Sequence, residues 1–331
     1  MGLDVSIGIS PRESLADFAE FAAGLERRGV ERIWLIDSQL AMKDVYAGLL
    51  TAAQRTTDIE LATGVTNVLT RHPTVTAGAI AAVAELSGGR AVLGLGSGDS
   101  AVRGIGARPS RIAEVEAALR FFGEVLSGEE GEWEGRPFRL PYPTPRVPVH
   151  LAVGRPRMCR LAGRLADGAV VMGPAQPDLV AEQLTWIDEG LAEAGRSRSE
   201  LEVSFVATTS VGDDEAAALD DVRSWASAQA RLLADVDQLP EALERHRDEL
   251  VRAKEGYDYR EHLSTRADHQ ESVSDELART LAIAGPPEVC AARLQALLDV
   301  GVDNLVLPLM GSGRTERMRV IQEEVAPALR L

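Results

Sequence analysis

A short apolar run, a polar or glycine-rich loop and a segment with helical apolar spacing recur in that order along the whole chain. The stretch from Leu61 to Ser100 completes one such unit and begins the next. Ile59 to Thr63 is apolar and stops at Gly64, and a loop runs from Thr66-Asn67 to Arg71-His72. Pro73 then opens a helix, where its missing amide costs nothing. Ala77, Ile80, Ala81, Ala84 and Leu86 give that helix an apolar stripe, and Gly88-Gly89 ends it. The next apolar run, Ala91 to Leu95, breaks into Gly96-Ser97-Gly98-Asp99-Ser100. Units of this kind cross over right-handed into a parallel sheet, so the loops after the strands gather on one face.

The same reading places strands at Asp4–Ile9, Arg32–Ile36, Ile59–Thr63, Ala91–Leu95, Val149–Val153, Ala169–Met172, Leu201–Val211 and Asn304–Leu309. Eight strands, each followed by a helix, predict an α/β fold of the (β/α)8 TIM barrel type rather than a doubly wound open sheet. Such a barrel needs about 250 residues, and this chain has 331. The excess is expected in two insertions within a single domain. Residues 129–146 are irregular, with room for a short hairpin packed by Trp133, Phe138 and Tyr142. Residues 213–281, between the seventh and eighth strands, are helical and charged, too long for a plain connection, and suit a lid or an oligomer contact.

Thirty-five basic residues against 51 acidic ones give a net charge of −16. That balance argues against nucleic acid or an anionic membrane as partner. No run approaches the ~20 apolar residues of a membrane span, and the N-terminus lacks the pattern of a secretion signal. Cys159 and Cys290 suit a reducing compartment and offer no metal-site spacing. A cytoplasmic enzyme acting on a small molecule is expected.

In a barrel of this kind ligands sit at the C-terminal strand ends. The candidates there are Ser10, Asp37, Ser38, Gln39, the Gly64 loop, Gly96 to Asp99, Gly154-Arg155-Pro156-Arg157, Gly173 and the Gly311 loop. Glycine lets backbone amides approach an anion closely. Two arginines at a helix start suit a phosphate, although a solvated basic turn reads the same way. The Gly96 loop likewise reads as an anion cradle or a plain strand-to-helix turn. Asp37 ends an apolar strand several residues before the next helix, which favours a ligand role over a cap. Arg71 and His72 either lead into a helix or face a ligand. Asp44 and Asp167 read as structural and His150 as core; His246, His262 and His269 fall in the long insertion, at least two of them expected in solvent. No metal motif, P-loop lysine or nucleophile elbow is present. Glycine loops without a nucleophile point to an organic cofactor that carries the chemistry itself.

The segments IWLIDSQLAMKDVY, TGVTNVLTRHPTVTA, LSGGRAVLGLGSGDS, LAVGRPRMCRLAGRLADGAVVMG and LAIAGPPEVCAARLQALLDVGVDNLVL carry a resemblance over nearly the whole chain. It resembles the bacterial luciferase-like superfamily, and within it the group using the deazaflavin coenzyme F420, typified by methylenetetrahydromethanopterin reductase. The resemblance implies a ring at the barrel mouth and a non-proline cis peptide at Gly64–Val65 behind it. It puts Asp37 near the ring's polar edge and Thr66 and Asn67 in the ring-contacting loop. It sets Gly96, Ser97, Gly98 and Asp99 along the cofactor's side chain, and Gly154 and Arg155 on its phosphate. Gly173 joins the cofactor-binding set. Gln39 and His72 are then candidates for contacting substrate beside Asp37. Where the reductases carry an acid after the first strand, this chain has Ser10, which cannot act as a general acid near neutral pH. F420-dependent hydride transfer is the expected activity. An FMN-dependent monooxygenase is the alternative, and a non-catalytic barrel subunit a second one. A homodimer is expected, joined by the second and third helices through small faces such as Ala77, Ala81 and Ala84.

Overall fold

The computed structural model of the chain describes residues 2–39, 41–236, 239–257, 272–309 and 313–330. Gly311, His262 and His269 lie outside the described residues. In chain order the first elements are β1 (Gly2–Ile7), α1 (Leu15–Arg27), β2 (Arg32–Leu35), α2 (Val45–Ala53), β3 (Glu60–Thr63), α3 (Pro73–Ser87) and β4 (Ala91–Leu95). Next come α4 (Ser100–Gly104), α5 (Ile112–Val125), β5 (Gly131–Trp133), β6 (Arg136–Phe138), β7 (Val149–Val153), α6 (Pro156–Leu165), β8 (Gly168–Val171), α7 (Pro177–Glu193) and β9 (Glu202–Val206). The chain continues through β10 (Thr209–Val211), α8 (Glu215–Leu233), α9 (Glu241–Glu244), α10 (Arg247–Glu255), α11 (Asp275–Leu281), β11 (Ile283–Gly285), α12 (Pro287–Asp299), β12 (Asn304–Pro308) and α13 (Arg314–Val320). A closed barrel runs β1-β12-β9-β8-β7-β4-β3-β2. The eight barrel strands are the eight read from the sequence, because strands buried on both faces are continuous apolar runs.

Contacts divide the chain into two compact units, Gly2–Met172 with Gln183–Ser204, and Gly173–Glu182 with Phe205–Leu331. In the first, the ladders from β1 through β2, β3, β4 and β7 to β8 are all parallel. The excursion at 129–146 holds the antiparallel hairpin β5–β6, and its Trp133 and Phe138 rings pack edge-on against Phe121 at 5.8 and 6.2 Å. Helix ends follow local chemistry. Ser14 and Asp44 cap α1 and α2 by accepting from Asp17 N and Ala47 N, and Gly88, at φ 69°, ends α3 in the left-handed turn that glycine tolerates.

The seventh strand read from the sequence differs from expectation. Leu201–Val211 is not one strand: β9 stops at Val206, and β10 pairs instead with β11 in a separate two-stranded sheet. The Thr209 hydroxyl donates to the Ala207 carbonyl at 3.0 Å, turning the chain between the two pieces. The described part of the insertion at 213–281 is helical, and its helices close over their own core of Leu219, Val222, Leu250 and Leu277.

One apolar helix face was misassigned from spacing. Ala77, Ala81 and Ala84 point inward and are essentially without solvent exposure. The outward face of α3 carries Val75 and Leu86, 58% and 45% exposed. Helix α2 has no charged residue and α3 has only Glu85. A helix apolar all round gives no periodicity from which to choose its buried face.

Candidate active site

The floor of the site begins deep in the first unit. Trp34 on β2 is 1% exposed, and its Nε1 donates to Asp4 Oδ2 at 2.9 Å. Arg32, two residues earlier, points to the same side of the strand. It donates to Asp4 at 3.3 Å, Glu60 at 2.7 Å and Glu202 at 2.5 Å. Burial, outweighing the Arg32 charge and the Trp34 hydrogen bond, pushes the Asp4 carboxyl up to about 7. Burial also pushes His150, whose ring lies 5.6 Å from Trp34, down to about 4, so it is a neutral core imidazole.

Above Trp34 the Gly64–Val65 peptide is cis, as the resemblance implied. A Cβ at Gly64 would sit 2.7 Å from Trp34 Cβ, so only glycine allows this approach. Past the cis bond the strand resumes: Thr66 N donates to Gly94 O and Gly96 N to Thr66 O, both at 2.9 Å. A Cβ at Gly96 would meet Val65 Cγ2 at 2.9 Å and Ala152 Cβ at 3.6 Å. Val65, Gly96 and Ala152 therefore adjoin at the ends of β3, β4 and β7.

The rim is a set of cross-loop bonds. Asp37, 5% exposed, accepts on Oδ2 from Thr66 Oγ1 at 2.7 Å and from Arg71 Nη1 at 2.6 Å. Arg71 also binds the α2 cap Asp44 at 2.9 Å and lies over the Tyr46 ring at 5.1 Å. Burial works against the Arg71 charge, but its hydrogen bonds to Asp37 and Asp44 and the Asp37 charge together outweigh that and raise its pKa. Burial raises the Tyr46 phenol too, reinforced by the Asp37 charge, so Tyr46 stays neutral. Gln39 Nε2 donates to Ala101 O at 2.6 Å, and the Ser38 and Ser100 hydroxyls pair at 3.2 Å. Asn67 Oδ1 accepts from Leu69 N and Thr70 N, both at 2.9 Å, which shapes the loop after β3. Gly98, at φ 86°, packs its backbone near Asn67, with 3.4 Å from a would-be Cβ to Asn67 Cβ. Ser97 O accepts from Ser110 N at 2.7 Å, and Asp99 precedes α4 and pairs with Arg103.

Asp37, Gln39, Gly64 to Asn67 and Gly96 to Asp99 are thus tied together. Gly154 follows β7 directly, two residues beyond Ala152, and Arg155 is the N-cap of α6. Gly173 falls in the other unit. His72 stands apart from the Asp37 cluster: its Nδ1 contacts Thr74 N and the Thr74 hydroxyl at 3.3 and 2.7 Å, capping α3, and the ring is exposed. Ser10 is exposed and its hydroxyl accepts from Arg12 N at 3.3 Å. His246 is buried, with Nδ1 2.9 Å from Glu249. Sequence reasoning left Arg71 undecided and missed Tyr46, Trp34 and Gln183. The one signal for Gln183 is a glutamine at an inward position between Val180 and Ile187 of an apolar helix face.

The arrangement suits a flat ring. Val65 gives an apolar platform, and Asp37 and Gln39 set acceptors at one edge. Gln39 Oε1 is buried without a hydrogen-bond partner, which fits a ligand donor. Burial pushes the Cys159 and Cys290 thiols up to about 12 and about 11, which removes both as nucleophiles. Among the described residues no cluster of histidine, cysteine or carboxylate could hold a metal, and no helix is long and apolar enough to cross a membrane.

A model of the luciferase-like monooxygenase family matches residues 3–304. The chain belongs to that family. Within it the chain is similar to 5,10-methylenetetrahydromethanopterin reductase of Methanolobus tindarius, 30% identical over 95% of this chain and 97% of the relative. It is similar also to the F420-dependent glucose-6-phosphate dehydrogenase of Kineococcus radiotolerans, at 27% identity over 94% of this chain and 92% of the relative. Among solved structures, the coenzyme F420 dependent tetrahydromethanopterin reductase of Methanopyrus kandleri superposes with a TM-score of 0.76 at 23% identity, with both chains fully covered. An F420-dependent secondary alcohol dehydrogenase reaches the same score at 20% identity, again with full coverage of both. These two likenesses speak for the fold.

Proposed function

We infer that this member of the luciferase-like family is an oxidoreductase that uses coenzyme F420 to pass a hydride to or from a small organic substrate. The observation that carries the reading is the Gly64–Val65 platform packed closely over Trp34, with the Asp37 carboxylate at its edge. Relatives named as F420-dependent, matched over nine-tenths of both chains, give it the cofactor.

Bound F420 would supply the ring carbon that gives or takes the hydride. The protein's part is orientation. Asp37, already fixed by two donors on Oδ2, offers its other oxygen as an acceptor to the ring's polar edge. Gln39 Oε1 accepts a second ligand donor while its Nε2 anchors the β4 loop. Thr66 and Asn67 hold the platform, Gly96 to Asp99 line the side chain, and Gly154 and Arg155 take the phosphate end. His72 is assigned to its helix rather than to the chemistry. With Ser10 in place of an acid, tetrahydromethanopterin is not the substrate we propose. Buried free thiols at Cys159 and Cys290 accord with a cytoplasmic setting.

Titration with F420 and, separately, with FMN tests the cofactor, followed by quenching of tryptophan fluorescence. The expected result is saturable binding of F420 and much weaker binding of FMN. Tight FMN binding without F420 binding would make the protein a flavin monooxygenase, and binding of neither would sink the reading.

We also propose a homodimer, formed by the outward faces of α2 and α3, on which Glu85 is the one charged residue. Val75→Glu should convert a dimer to a monomer in sedimentation velocity. A monomeric wild-type protein would contradict this.

A further inference from the structure

Gln183 on α7 is 5% exposed and faces the barrel, not solvent. Helical side chains lean toward the helix N-terminus. The start of α7 follows the end of β8, so this lean carries the amide to the C-terminal strand ends. There Nε2 donates to two backbone carbonyls at once, Gly154 O and Met172 O, each at 3.1 Å. These carbonyls close two neighbouring strands, β7 and β8, and Met172 N donates to Val153 O at 2.8 Å between them. Two carbonyl partners require the NH2 side of the amide, so the orientation of the side chain is fixed by chemistry. Its Oε1 is left buried without a partner. A buried orphan acceptor is costly, so burial and packing alone would favour leucine here.

The consequence falls on the next peptide. A trans peptide sets N–H and C=O on opposite sides. With its carbonyl turned to Gln183, the Gly154–Arg155 unit directs the Arg155 amide away from α7. Gly154 has no room for a side chain: a Cβ would lie 2.8 Å from Met172 O. Arg155 then begins α6 as its N-cap, and the first residue of the helix is Pro156. Backbone amides at such a start suit an anion.

We propose that Gln183 is a positioning residue for the cofactor's phosphate-bearing tail. It does not touch the ring. It holds the β7 and β8 ends so that the Gly154–Arg155 peptide presents its N–H to the phosphate. The inference rests on the F420 reading and names a residue that this reading does not require.

The test compares the dissociation constants of F420 and of its tail-less deazaflavin, which keeps ring and polyol but lacks the phosphate. Gln183→Met keeps the volume and removes the amide, and Gln183→Leu is the second variant should the first fold poorly. The expected result is about a tenfold or greater loss for F420, with the tail-less compound bound as by wild type. Equal loss for both compounds would show a merely structural role, and no loss for either would show none; each overturns the proposal. If wild type binds neither compound, the F420 reading falls and takes this inference with it. If wild type binds both and the variants match it, only this inference falls.

Discussion

Arg71→Met is expected to cost about 3 kcal/mol of unfolding free energy, and adding Asp37→Asn should recover most of that loss. The reason lies in what each change leaves behind. The Asp37 side chain is 2% exposed and that of Arg71 18% exposed, with 2.6 Å between their charged atoms. Removing the guanidinium strands a buried carboxylate whose remaining donor is the Thr66 hydroxyl. It also removes one support of Asp44, the cap of α2, and uncovers the Tyr46 ring. Replacing the carboxylate by an amide removes the uncompensated charge while Thr66 can still donate to the amide oxygen. Urea unfolding of the four proteins in this cycle measures the coupling. Losses that simply add would mean that the pair is not the fixed unit described here. Both single variants should also bind cofactor more weakly, because Arg71 and Thr66 orient Asp37.

The second large effect is expected at the barrel floor and depends on pH. Asp4 has its carboxyl raised from 3.8 to about 7 in the folded protein. Between these values the folded state keeps a proton that the unfolded chain releases. Stability from this group is therefore full below about pH 4, falls as pH rises toward 7, and is flat above. The difference is of the order of 4 kcal/mol at most. Asp4→Asn keeps an acceptor for Trp34 Nε1 and removes the titration. The variant should gain on wild type from pH 5 to about pH 7 and hold that gain to pH 8, read as the difference in melting temperature. Arg32 retains Glu60 and Glu202, so it is not stranded. A constant difference across that range would show that Asp4 is ionised throughout.

How much of this was open to reading from the chain follows from the range of each interaction. The barrel strands were legible because each is a compact apolar run bounded by glycine or polar residues. The break at Ala207-Thr208 was not, since β-rich residues continue across it and the cause is the pairing of β10 with a strand more than 70 residues later. Asp37 stood out as a carboxylate at an apolar strand's end, and the cis bond at Gly64–Val65 came with the family resemblance. Its necessity for glycine was hidden, because the obstacle is Trp34 from the neighbouring strand. Arg71 could not be told from a helix lead-in until its partner Asp37, 34 residues away, was beside it. His72 illustrates the converse: a histidine before proline looks available, and the fold uses its ring nitrogen to cap a helix.

The central claim is that the ends of β2, β3, β4 and β7 form one cofactor face, with a ring seated on Val65 and its polar edge at Asp37. A crystal structure of the protein with bound F420 tests it most directly. The account predicts density for a tricyclic ring against the Gly64–Val65 peptide, a ring donor within hydrogen-bond distance of Asp37, and the phosphate at the start of α6. A ring found away from Val65, with Asp37 facing only Arg71 and Thr66, would contradict it.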